Sequence, residues 1–412
     1  MPSVSLLQCP EEVQLGIIEL LPPSHLVSLS RASKALRNLA EPLIYSEIQW
    51  IWKREYYPPV VKSLQLLRTL LEIPYLGCYV KRLDFVGDGF VDRGHSPRPG
   101  ETPEQPEPPS LPLDQLVTAM KRIGVSQCAT NDWTSNFPYL DPHTYQKFRS
   151  TYRLHNLQQT HWDWSDAAVA VLVSILPGLE RLSIGVNWTT KTHFIDPLSL
   201  TSLEIFRLRE SRLAPIISVT KNLKKLRYNW LYRPDLDPQV SKAVVMLDIM
   251  SEAFLQVSGT LEELDVIAET CPAISQGEYE PPDIYPQGPL VRLAGMRKLK
   301  SLQIPWSFLT GSNIDPAPGA IGPALPNNLE HLIFPEFEYW YELDELEDKD
   351  DTIVSAFEKE LEDGALSHVT SLKSVCFPPS PYRLGVSETY KQKLQSLRSR
   401  FGLVLSHQTG EF

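Results

Sequence analysis

The sequence predicts an α/β chain: a three-helix unit over residues 1–48, then an irregular solenoid over 49–412, with strands on its concave side and helices and loops outside. Three observations lead there. Prolines and capping residues cut the first fifty residues into short helical segments with apolar spacing. The pattern L-x-x-L-x-φ, where φ is a large apolar residue, recurs eight times between Val80 and Phe377. The intervals between copies carry helical periodicity or runs of proline.

The opening segment is read from its punctuation. Pro10 occupies a first-turn position where a missing N–H costs nothing, and Glu11 and Glu12 set negative charge against the positive end of the helix dipole. Val13, Ile17, Leu20 and Leu21 then form an apolar stripe, and Pro22-Pro23 ends the helix. Ser24 is the expected cap of a second helix carrying Leu26 and Leu29, and Ser33 of a third carrying Leu36 and Leu39 and ended by Pro42. A unit this small has too little interior to close a core on every face, so it needs a partner or the rest of the chain. From Ile44 through Ile48, Trp50 and Ile51, the residues predict a strand leaving the helices.

The repeats begin with Val80-Lys-Arg-Leu83-Asp-Phe85 and Leu179-Glu-Arg-Leu182-Ser-Ile184. Leu203, Leu223, Leu261, Leu299, Leu329 and Leu372 open the other copies. Such a strand buries its apolar positions on one side, and each copy shields the next. The steps from 179 to 203 to 223 are short; the later ones, to 261, 299, 329 and 372, stretch irregularly. Helices are expected at Lys62–Ile73, Leu113–Ile123, Pro142–Ser150, Asp163–Leu176, Pro238–Val257, Thr352–Leu361 (closed by Gly364) and Ser387–Ser399, with a last strand at Phe401–Leu405. Proline-rich segments near 94–112, 271–290 and 310–326 read as surface insertions.

Composition narrows the function. The net charge is −11 in 412 residues, which argues against nucleic acid as the main partner, since that binding rests on basic surface. The five cysteines are scattered, without C-x-x-C or zinc spacing, so reduced thiols in the cytoplasm or nucleus are expected. No basic-then-apolar leader is read, and the longest apolar run, Ala167–Leu176, is interrupted by Ser174 and too short for a bilayer, so no membrane role is expected. The motifs G-x-x-x-x-G-K-[ST], G-x-S-x-G and H-E-x-x-H do not occur. His155, His161, Asp163 and Asp166 match no metal scheme, and the acidic run Glu342–Asp351 has no glycine at its centre for a calcium loop. No catalytic residue, metal or cofactor is assigned, and the chain is expected to be no enzyme.

Leu7, Pro10-Glu11-Glu12, Ile17-Ile18, Leu20-Leu21, Leu26, Leu29, Ser33-Lys34-Ala35-Leu36-Arg37, Leu39, Pro42-Leu43 and Tyr45 together resemble the F-box. Cys9 and Leu36 stand where that family commonly has leucine and an aromatic. The L-x-x-L-x-φ copies resemble the strand half of a leucine-rich repeat, without its asparagine ladder. Taken together, the two resemble the divergent F-box/leucine-rich-repeat proteins abundant in fungi. That resemblance implies a non-catalytic substrate receptor of an SKP–cullin–F-box ubiquitin ligase, or a scaffold acting without ubiquitination. It implies that Leu7, Pro10, Glu11, Val13, Ile17, Leu20, Leu21, Leu26 and Leu29 meet a Skp-type adaptor, and through it a cullin–RING ligase, while the repeats hold a target protein.

One surface feature goes beyond the resemblance. Arg207, Arg209, Arg212, Lys221, Lys224, Lys225 and Arg227 crowd two repeats of an acidic chain. Taken as strand-flanking positions, Arg207, Arg209, Lys225 and Arg227 share the concave face with Arg181, beside Trp230. Guanidinium clusters bind carboxylate or phosphate, so an acidic or phosphorylated target segment is one reading. An ordinary face paired with neighbouring glutamates is the other. Trp188, Trp230, Trp306 and Tyr339-Trp340-Tyr341 end strands and serve either as a binding rim or as core plugs.

Overall fold

The computed structural model describes residues 8–52, 60–87, 110–122, 171–185, 199–234, 241–272, 282–288, 290–310, 321–335, 349–378 and 388–407. The chain divides into two compact units: Met1–Asp88 with Glu104–Ser183 and Lys191–Leu200, and Gly89–Pro103 with Ile184–Thr190 and Thr201–Phe412. Both mix helices with parallel strands.

The first unit opens with α1 (Glu11–Ile18), α2 (Pro23–Ala32) and α3 (Lys34–Ser46). Pro10 is the extended residue before α1, and the Ser33 hydroxyl caps α3 by accepting from the Leu36 N–H at 3.2 Å. Two expectations are corrected. Ser24 lies inside α2, which starts at Pro23 because a proline at the first helical position is already set for the turn. Pro42 does not end α3. Its missing N–H removes one hydrogen bond, and the helix continues because Leu39, Leu43 and Ile44 pack against the buried Ile18, Leu26 and Ala40.

Ile44 is therefore helical, and the strand β1 runs from Glu47 to Trp52. It pairs in parallel with β2 (Arg82–Gly87), setting Ile48 opposite Leu83 and Trp50 opposite Phe85. Tyr45, Ile48 and Trp50 thus add one more copy of the repeat spacing, joined without a loop to α3. Helices α4 (Val60–Glu72) and α5 (Leu113–Arg122) fall where periodicity predicts them. The strand β3 (Arg181–Ile184) lies beside β2; the N–H groups of Glu180 and Arg181 both donate to the Lys81 carbonyl at 2.9 Å, and the Ser183 hydroxyl donates to buried Asp84 at 2.8 Å.

The second unit holds β4 (Ser202–Phe206), β5 (Lys225–Tyr232), β6 (Val244–Met246), β7 (Glu263–Thr270), β8 (Tyr285–Gln287), β9 (Ser301–Gln303), β10 (His331–Ile333), β11 (Ser374–Phe377) and β12 (Val404–His407). β6 pairs with β8. The other seven form a parallel sheet in the order β4-β5-β7-β9-β10-β11-β12. Leu203, Leu226, Leu264, Leu302, Leu332, Val375 and Leu405 stand side by side across it.

That register corrects the third copy. Leu203 pairs with Leu226 and not Leu223, so the copy is Leu200–Leu203–Ile205, all buried, and Phe206 is left half-exposed. The expected helix at 238–257 is corrected as well. β-Branched Val244 and Val245 are extended against β8, with the Tyr285 N–H donating to the Ala243 carbonyl at 2.8 Å, and the helix α7 occupies only Leu247–Leu255.

Short α6 (Leu213–Ile217) and α8 (Trp306–Thr310) and longer α9 (Lys349–Glu362) and α10 (Glu388–Phe401) complete this unit. Gly364, at φ 72°, closes α9 as expected. The core is formed by the last apolar position of each repeat and the helices: Tyr228 meets Phe254 edge to face, and Phe334 packs with Trp306, Phe357 and Phe377 at centroid distances of 5.2, 6.3 and 6.0 Å. The expected helix at Pro142–Ser150, most of the proline-rich segments, His155, His161, Asp163, Asp166, Trp188, Tyr339, Trp340, Tyr341 and the acidic run up to Asp348 lie outside the described residues.

Candidate functional site

Helix α1 has two faces of different character. Gln14 and Ile18 point inward; the Gln14 amide donates to the Cys9 carbonyl at 2.7 Å, and Ile18 joins Leu26 and Ala40 in a small core lined by Leu21, Leu29, Leu39, Leu43 and Ile44. On the adjoining side Val13 and Ile17 are 47 and 42 % exposed, and Leu20, just past the helix, 84 %. Val13 and Ile17, four residues apart, share one face of α1, and Leu20 stands in the turn that follows the helix, so the three are neighbours in sequence order and not scattered surface apolars. Exposed Pro10, Glu11 and Glu12 stand at the helix start. Of the residues expected to meet an adaptor, this arrangement brings Pro10, Glu11, Val13, Ile17 and Leu20 to the surface. Leu21 and Leu29 are half-buried, Leu26 belongs to the unit's own core, and Leu7 lies outside the described residues.

The basic cluster does not form one patch. Only Arg181, Lys225 and Arg227 flank a central apolar position of a repeat, and each has a carboxylate from another strand, the next one for Lys225 and Arg227 and β1, two strands away, for Arg181. Arg181 is 3.4 Å from Glu47, Lys225 is 2.8 Å from Glu263, and Arg227 is 3.4 Å from Asp265. Burial pushes the Asp265 carboxyl up to about 6, against the pull of Arg227. Arg207 and Arg209 fall beyond β4, because the true repeat starts at Leu200. Arg207 adopts φ 60°, and its N–H donates to the Asn229 carbonyl at 2.7 Å. Arg209 donates at 2.6 Å to Glu210, a wholly buried carboxylate that also accepts from the Trp230 indole N–H at 3.3 Å. Trp230 is itself 2 % exposed, and Trp306 is buried, so both are core plugs and neither forms a rim.

Sequence reasoning missed Glu210 because nothing local distinguishes it from a solvated glutamate; its partners come from two different repeats. It also missed a row that the copies do spell out. The second residue of successive repeats in the second unit runs Lys224, Glu262, Lys300, Glu330, Lys373, and alternating charges stack across the sheet: Lys300 lies 3.5 Å from Glu262, and Lys373 pairs with Glu330. From Glu262 onward, each backbone N–H of the row donates to the carbonyl of the row residue before it, as from Glu262 to Lys224 at 2.8 Å. These pairs are exposed, so they contribute little stability and chiefly disfavour a slipped register.

No cluster of metal-ligating side chains occurs among the described residues, and no helix among them is long and apolar enough to cross a membrane. No protein-family model matches the chain, and no curated protein is significantly similar to it.

Proposed function

We propose that this chain is a target-binding subunit of an SKP–cullin–F-box type ubiquitin ligase, with the first three helices as an F-box and the strand repeats as the target-binding part. The observation that carries the reading is the exposed set Val13 and Ile17 on α1 with Leu20 in the turn after it, beside a helix face that is already satisfied. Full burial of each aliphatic side chain is worth about 1.5–3 kcal/mol, so two or three of them anchor a stable complex. Leu20, the most exposed, contributes the most.

Two further features support it. Helix α3 passes directly into β1 without a loop, and the Lys81 N–H donates to the Ser46 carbonyl at 2.8 Å, which ties the helices to the first repeat strands. The repeat strands of the second unit align in parallel with their central buried positions in register, the arrangement a repeat surface uses to present side chains to another protein. In this reading the chain supplies no reactive group; it brings a target close to a ubiquitin-charged enzyme, and proximity does the rest.

The test is affinity purification of the intact chain beside one lacking residues 1–50. The proposal expects a Skp-type adaptor and cullin with the intact chain alone, target proteins with both, and a longer target half-life in cells carrying only the truncated chain. Adaptor capture by both chains, or a target half-life indifferent to the truncation, contradicts it.

A further inference from the structure

Glu41 and Tyr45 stand four residues apart on α3, so they share one face of that helix. The short turn Pro74–Cys78 after α4 reaches the same place. Leu76 and Gly77 of the turn are buried, while Tyr75 points outward and is 55 % exposed. The Tyr75 hydroxyl donates to the Glu41 carboxylate at 3.0 Å. Tyr79 meets the Tyr75 ring edge to face, with centroids 6.1 Å apart and planes at 81°. Three tyrosines thus gather around one carboxylate, all within the first unit.

That carboxylate lacks a cation. Among the described residues Glu41 makes no ion pair, and the hydrogen bond it accepts comes from the neutral Tyr75 hydroxyl. Arg37, one turn earlier on α3, donates instead to the Ser30 carbonyl at 3.1 Å. The phenols stay neutral at ordinary pH. Burial and then the Glu41 charge hold Tyr45 above its usual range, and the hydrogen bond to Glu41 does the same for Tyr75. Neutral aromatic rings beside a carboxylate make a site of negative potential, open to solvent at Tyr75 and half-buried at Tyr45 and Tyr79.

We propose that this surface docks an arginine side chain of a partner protein, with the guanidinium lying on the tyrosine rings and donating to Glu41. A guanidinium is planar, stacks on aromatic rings and carries donors that match a carboxylate, whereas the ammonium of lysine is more strongly hydrated and loses more on leaving water. The surface is open, with Ile73 and Pro74 exposed beside Tyr75, while small-ligand sites enclose most of their ligand. A protein segment that also covers these apolar neighbours therefore fits better than a free small molecule. Charge complementarity sets its sign: the chain carries net −11, which draws basic sequence in, and Glu41 fixes where the cation rests. The site goes beyond the ubiquitin-ligase reading and does not rest on it.

The experiment uses the full chain without any adaptor, so that a failure here leaves the adaptor proposal untouched. Fluorescence anisotropy is read with a labelled peptide of arginines spaced by serine, and with matched peptides carrying lysine, trimethyllysine or the neutral isostere citrulline in place of arginine. The arginine peptide is expected to bind most tightly and to weaken as salt rises. Glu41→Gln keeps an acceptor for Tyr75 but removes the charge, and Tyr75→Leu removes a ring but keeps apolar bulk; each is expected to weaken the arginine peptide about threefold. Tyr75→Phe keeps the ring and is expected to bind as the unsubstituted chain does. So is Asp363→Asn, which removes an exposed carboxylate of the second unit. Thermal unfolding like that of the unsubstituted chain qualifies each variant, and either Glu41→Gln or Tyr75→Leu alone decides. Any matched peptide binding as tightly as the arginine one, no loss in a folded Glu41→Gln or Tyr75→Leu, or an equal loss in Asp363→Asn overturns the proposal.

Discussion

Ile17 and Ile18 are consecutive in α1, yet Ile18 is fully sealed against Leu26 and Ala40 while Ile17 keeps 42 % of its surface in water. The contrast separates what holds the helical unit together from what it leaves on offer. Ile18→Ala opens a cavity in a very small core and is expected to destabilise the unit by about 2–5 kcal/mol. Ile17→Ala is expected to change stability by no more than about 0.5 kcal/mol. Urea titrations of the two variants, followed by helix circular dichroism, make the comparison.

Glu210 ties the loop after β4 to the core through Arg209 and Trp230. Glu210→Ala removes the buried carboxylate that Arg209 and the Trp230 indole N–H share, and breaking a buried pair from one side costs about 3–5 kcal/mol. Glu210→Gln keeps an acceptor for Trp230 and is expected to lose less. Thermal unfolding of both variants orders them, and equal losses would show that the Trp230 bond contributes nothing.

Asp265 gives the second unit a pH dependence of known sign. Its carboxyl is raised by burial from 3.8 to about 6, so between those values the folded protein holds a proton that the unfolded chain has released. Its contribution therefore falls as pH rises from about 4 to about 6, and is constant above and below that window. The denaturant midpoint of Asp265→Asn relative to the unsubstituted chain is expected to climb across that window and then level off. A difference independent of pH would contradict the assignment.

Gly322 is fixed by close approach. A Cβ there would lie 2.4 Å from the Ala365 carbonyl oxygen, and the Gly322 N–H donates to buried Glu360 at 3.4 Å. Gly322→Ala must push backbone against backbone where α9 ends, and overpacking of this kind costs about 1–3 kcal/mol. Hydrogen exchange at the end of α9 is expected to speed up in the variant.

The alternation of helix stripes and repeat copies was enough to read off most of the architecture. Seven of eight copies have their apolar positions where spacing puts them, because a strand buried on one side leaves little choice of residue type. The third copy slipped because Leu200, Leu203 and Ile205 spell the same pattern as Leu203, Phe206 and Leu208, and only the pairing of Leu203 with Leu226 separates them. Pro42 and Val244–Met246 escaped for a related reason: tertiary packing and β6–β8 pairing override local preference. At the candidate site the outward face of α1 was legible from periodicity, but the burial of Leu26 was not, since a stripe alone does not say which edge faces inward. The basic cluster misled because its partners, Glu47, Glu263, Asp265 and Glu210, come from other repeats or from the next residue, and spacing is silent on that.

The central claim is that the outward face of α1 and the turn after it, with Leu20, is a docking surface for a Skp-type adaptor. The most direct measurement is calorimetric titration of purified adaptor into the full chain and into Leu20→Asp, a substitution at an exposed position that leaves the small core of Ile18, Leu26 and Ala40 intact. The account predicts a stable complex with the unsubstituted chain and a loss of about 2 kcal/mol or more in the variant, as for a residue at the centre of an interface. No heat of binding with the unsubstituted chain, or equal affinity for both, would contradict it.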